Sequence, residues 1–138
     1  MRKTLLSLLL AALPALAVPQ AAATSYWAIQ HAPAAAAQAT IGQAANANGR
    51  HVATNVTVCV SAAGTAQTPL QFSLRDGATG AGTIVWTVRL SAPINTAYCI
   101  ATPLTVAGTK NTAMTLESAG VTVTGAFAMV SLNGYTTF

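Results

Sequence analysis

In 138 residues the chain carries six lysines and arginines against two acids, while 53% of its residues are hydrophobic. Arg2 and Lys3 stand at the very start, so from Thr24 onward Arg50, Arg75, Arg89 and Lys110 face Asp76 and Glu117, a net charge of about +2. Four scattered cations make no electrostatic footprint for nucleic acid or an anionic membrane, and two acids on separate segments exclude a paired-carboxylate catalytic centre.

Met1-Arg2-Lys3, an apolar run from Thr4 to Val18, and the Ala21-Ala22-Ala23 end describe a cleaved export signal over residues 1–23. The apolar run is about 15 residues, short of the roughly 20 that a spanning helix needs, and Pro14 interrupts it. No cysteine stands at the cleavage point for a lipid anchor, and no later run reaches 18 apolar residues, so no transmembrane helix is expected. Residues 24–138 are then one domain, expected to bury roughly two thirds of its surface. With so few charges that surface is covered by Thr, Ser, Asn, Gln and Ala, which leaves sheet edges poorly protected against pairing with one another.

Residues 26–30 read as a short strand ending near His31 and Pro33. Thr40-Ile41-Gly42 reads as a weak strand, and residues 44–49 are small, polar and connecting. Residues 50–61 give a strong strand signal with Val52, Val56, Val58 and Val60 expected on one side. A turn at 62–67 leads to the stretch PLQFSLRDGATGAGTIVWTVRL, on which the rest of the chain is centred. There Leu70, Phe72 and Leu74 alternate with polar residues, as do Ile84, Trp86, Val88 and Leu90, about a turn rich in glycine. This is a β-hairpin in which Phe72 and Trp86 are expected to be the largest apolar groups of the core.

Beyond the break at Ser91-Ala92-Pro93, residues 95–102 resume with Tyr98 and Ile100 on one face and Ala97, Cys99 and Ala101 on the other. Residues 103–110 read as a connector and residues 111–118 as a strand, with Met114 and Leu116 opposite Thr115 and Glu117. A turn at Ala119-Gly120 precedes the last strand, or a bent pair about Gly125, over residues 121–135. Its Ala126, Ala128, Val130 and Leu132 lie on one face and Phe127 and Met129 on the other. A strand apolar on both faces is central, or covered by another subunit. Seven or eight short strands without a convincing helix argue one antiparallel β-sandwich, jelly-roll or immunoglobulin-like.

Cys59 and Cys99 each point to the less apolar face of a strand, so in an exported protein a disulfide between them is expected. Two free thiols or a bridge between subunits are the alternatives. His31, His51 and the cysteines show no metal-ligand spacing, and neither a G-x-S-x-G motif nor a phosphate-cradling glycine loop before a helix occurs. No metal, cofactor or catalytic centre is expected. Asn55-Val56-Thr57 matches a glycosylation acceptor but falls within a strand. Tyr26 and Trp27, if both exposed, would make a platform for a glycan; core or interface packing is the competing reading.

The runs GRHVATNVTVCV, LRDGATGAGTIVW and NTAMTLESAGVTVTGAFAMVSLNGY resemble short β-sandwich proteins found among phage and prophage structural genes. That resemblance implies a virion-surface or accessory structural role and an oligomer; the export signal departs from it. The export signal, the Ala/Thr/Gly/Val-rich composition, two cysteines about 40 residues apart and Tyr135 near the end are similar to chaperone–usher pilins, though residues 24–49 show no clear donor strand. The final Phe138 is similar to outer-membrane barrels, for whose eight strands and loops about 115 residues are few. The expectation is a secreted, non-enzymatic structural or adhesive subunit in the periplasm, on the cell surface or outside the cell. It would form homo-oligomers through its sheet edges and through Phe127 and Met129. A small carbohydrate-binding module and a phage-derived virion protein are the alternatives.

Overall fold

The computed structural model describes residues 23–64, 69–119 and 125–138, none of them helical. Residues 1–22 of the expected export signal, residues 65–67 of the expected turn and residues 121–124 of the last expected strand lie outside the described residues.

Eight strands follow one another: β1 (Thr24–His31), β2 (Thr40–Gln43), β3 (Arg50–Ala62), β4 (Leu70–Asp76), β5 (Thr83–Leu90), β6 (Thr96–Ala107), β7 (Met114–Ser118) and β8 (Phe127–Thr137). They form two four-stranded sheets, ordered β1-β8-β3-β6 and β2-β7-β4-β5, with every pairing antiparallel. The first strand pairs with the eighth, the second with the seventh, the third with the sixth and the fourth with the fifth. This is one long hairpin, closed at the glycine-rich turn, rolled into two layers. Of the two sandwich types the sequence allows, the winding is the jelly roll.

The alternation that makes these strands also makes the core. Val56, Val58, Val60, Val130 and Leu132 from the first sheet meet Leu70, Phe72, Leu74, Met114 and Leu116 from the second, all essentially inaccessible to solvent. Each such side chain contributes about 1.5–3 kcal/mol by leaving water. Trp86 lies on the edge strand β5 and only partly enters this cluster, so it is not among the largest fully buried groups as expected.

Two bulges move residues from where simple alternation puts them. On β3 the register slips between Ala53 and Asn55, so Ala53 opposite Gly134 and Val56 opposite Leu132 both face the core. Val52 is thereby on the outer face, opposite Tyr135, and not with Val56, Val58 and Val60. On β5 the register slips between the partners of Leu74 and Arg75, so Ile84 stands opposite Arg75 on the outer face and is 45% exposed, away from Trp86, Val88 and Leu90. An extra residue in one strand reverses the facing of everything beyond it.

β6 runs through Pro103, where a connector was expected to begin. It is an edge strand, and there the missing proline N–H removes no essential ladder bond. β7 begins at Met114, since Asn111 takes a φ of 63° and donates its N–H to Gly49 O.

Candidate functional site

The outer face of the first sheet is a grid fixed by the register of β1, β8, β3 and β6. Its rows read Tyr26–Tyr135–Val52–Ala107, then Ala28–Asn133–Asn55–Pro103, then Gln30–Ser131–Thr57–Ala101. Beyond them come Met129–Cys59–Cys99 and Phe127–Ser61–Ala97. None of the side chains in these rows is charged, but the row before them, Thr24–Thr137–Arg50, ends the face on an exposed arginine.

At the apolar end Cys59 and Cys99 are bonded to each other as direct cross-strand partners, with their Cα atoms 4.0 Å apart. Met129 stands beside Cys59 on β8, and Phe127, 45% exposed, stands beside Ser61. These residues, with Ala32, Pro33 and Ala97, line a shallow, mostly apolar groove of about 230 Å³. The structure thus brings together the cysteines and the two residues that the sequence marks for self-association.

Tyr26 and Trp27 are not brought together. Neighbours on a strand face opposite ways, so Tyr26 lies outside against the ring of Tyr135, with centroids 5.8 Å apart. Trp27 turns inward and donates its indole N–H to Thr136 Oγ1 at 3.1 Å, edge-on to His51. A shared Tyr26–Trp27 platform is therefore ruled out by the pleat.

His51 is buried, and both ring nitrogens are engaged: Nε2 with Ala44 O and Nδ1 with Thr136 Oγ1, each at 2.8 Å. A carbonyl oxygen only accepts, so Nε2 carries the proton, and in the neutral ring Nδ1 accepts from the Thr136 hydroxyl. His31 Nδ1 accepts from the Thr40 N–H at the start of β2.

The two acids tie different loops to the second sheet, and only Glu117 reaches the glycine-rich turn. Asp76 accepts from Thr109 N–H and Oγ1 in the loop after β6. Glu117, nearly buried on β7, pairs with Arg75 Nε and accepts from Gly80 N–H at 3.0 Å, while Arg75 Nη1 donates to Gly82 O at 2.8 Å. Gly77, at a φ of 133°, runs so close to Gly82 that a Cβ on it would lie 2.5 Å from the Gly82 Cα. The sequence shows nothing of the Arg75–Glu117 clamp, which exists only because β4 and β7 are neighbours.

Asn55 of the glycosylation motif lies within β3, and its Oδ1 accepts from the Thr57 hydroxyl. Among the described residues no three metal-ligating side chains cluster, and no helix is long and apolar enough to cross a membrane.

No family model matches the chain, and no curated protein matches it. Among solved structures, a chain from Bacillus endospore appendages, which form a novel family of disulfide-linked pili, aligns with 95% of this chain and 98% of its own length. The identity is 16% and the TM-score 0.33, a likeness too low to carry a role across.

Proposed function

We propose that the chain is a non-enzymatic structural subunit of an extracellular or surface assembly, associating with further copies of itself. The observation that carries this reading is the pair of free-running edges of the first sheet. β1 and β6 are its two ends, eight and 12 residues long, and neither contains an Asp, Glu, Lys or Arg. Proteins use charges and prolines on edge strands to prevent open strands from pairing, and on β6 Pro103 is the one such guard. Pairing the β6 of one copy with the β1 of the next would continue the sheet head to tail. The groove at Phe127 and Met129 offers a second apolar contact. The disulfide supports an oxidising compartment, in line with the export signal expected at residues 1–23. The nested winding recurs in viral capsid and lectin domains, in keeping with descent from a phage structural protein, although a fold alone assigns no role.

Light scattering of the oxidised chain from residue 24, across a range of concentrations, tests the reading. The expected result is a mass above the monomer that Ala101→Lys on β6, or Phe127→Lys with Met129→Lys, brings down. A monomer at every concentration would overturn it.

A further inference from the structure

The other end of the outer face lies away from the Phe127–Met129 groove and is built around an exposed aromatic pair. Tyr26 is 80% exposed and tilted at 56° to Tyr135, its register partner. Immediately along the same two strands, Ala28, Ile29, Gln30, Ser131 and Asn133 line a groove of about 380 Å³. That volume falls at the lower end of the ~300–1,000 Å³ typical of small-molecule sites. Among the described residues no other group takes up the side-chain polar atoms of Gln30, Ser131 or Asn133. Two amides and a hydroxyl therefore face the groove with their donors and acceptors unspent. The three rows that hold the pair and the groove carry no charge.

We infer that this face binds a neutral glycan, with sugar rings stacked on Tyr26 and Tyr135 and hydroxyls held by Gln30, Ser131 and Asn133. A pyranose with equatorial hydroxyls presents a flat patch of C–H groups, which suits the electron-rich face of a phenol ring. Its rim of hydroxyls needs both donors and acceptors, which amides supply and ionised groups do not. An acidic ligand would find no cation in the rows of the groove; the one on this face, Arg50, stands a row beyond Tyr135, on the side away from Gln30, Ser131 and Asn133. A purely apolar one would leave the amides unpaired beneath it.

The test is titration of the oxidised chain with cellohexaose and chitohexaose to about 10 mM, followed by NMR shifts of the Tyr rings and the Asn and Gln side-chain amides. Saturable shifts at Tyr26, Tyr135, Gln30 and Asn133 with at least one oligosaccharide are expected, and weaker or no binding of hexagalacturonate. Tyr26→Ala, at so exposed a position, leaves the fold and the light-scattering mass unchanged and weakens binding at least about tenfold. Tyr135→Ala does the same to the binding. No saturable shift with either oligosaccharide would overturn the inference, as would equal binding by Tyr26→Ala or tighter binding of hexagalacturonate. A fall in assembly mass with Tyr26→Ala would make the pair a contact between copies, and would also overturn it.

Discussion

Trp27 and Gly134 are register partners on β1 and β8, and there is no space between them for a side chain. A Cβ at residue 134 would lie 2.5 Å from Cη2 of the indole and closer still to the Val52 carbonyl oxygen. The glycine is what lets the tryptophan lie inward and reach Thr136. Gly134→Ala should therefore destabilise the domain by about 3 kcal/mol through overpacking against backbone that cannot move. Thermal and urea unfolding followed by circular dichroism measure it; a loss within experimental error would mean that β1 simply shifts outward.

His51 ties β3 to β8 and to the loop that precedes it. His51→Phe keeps a flat aromatic ring, somewhat larger than imidazole, but removes both hydrogen bonds, leaving the Thr136 hydroxyl with only the indole as partner. A loss of about 2 kcal/mol is expected, read as a lower urea midpoint at an unchanged m-value. An unchanged midpoint would show that water replaces the imidazole at no cost.

Glu117→Gln removes the charge that holds Arg75 while leaving the shape of the side chain. The domain should lose about 2 kcal/mol, less than for a fully buried pair because Arg75 retains some solvent. The more specific readout is hydrogen exchange at the Gly80 amide, which Glu117 Oε2 accepts. That amide should exchange faster in the variant while the core amides of β3 hardly change. Equal exchange at Gly80 would mean that the turn is held by Arg75 and Gly82 alone.

Reduction of the Cys59–Cys99 bond opens a loop of 40 residues that contains the whole β4–β5 hairpin. In the chain-entropy view the oxidised domain is more stable by about 4 kcal/mol. Urea unfolding with and without dithiothreitol gives the difference. The ladder between β3 and β6 runs the length of both strands, so the reduced domain should still fold at low temperature. Failure to fold would show that the bond, and not the ladder, sets the register.

The strands were legible because alternation of apolar and polar residues is strong in β3, β4, β7 and β8, whose inner faces are Val, Leu, Met and Phe. Val52 and Ile84 were misplaced for one reason. Neither bulge carries a glycine or proline at the slip, so nothing in Ala53-Thr54-Asn55 or Ile84-Val85-Trp86 announces an extra residue. The separation of Tyr26 from Trp27, by contrast, was readable, since adjacent residues on any strand face opposite ways. The Tyr26–Tyr135 pair and the Arg75–Glu117 clamp were out of reach, because each depends on which distant strands become neighbours. Pro103 misled because its effect depends on whether a strand is central or at an edge, which only the topology decides.

The nested winding places the first and last described residues side by side, with the Phe138 N–H donating to Ala23 O at 3.2 Å. A force drawn through those two ends loads the β1–β8 ladder as a zipper, breaking its bonds one pair at a time from Thr24 and Thr137 inward. Little force is needed to peel β1 away, and a subunit strained through its ends would yield there first. The peeling then meets the Cys59–Cys99 bond, which keeps its 40-residue loop closed and withholds about 140 Å of contour. The domain is thus compliant at its rim and inextensible at its centre.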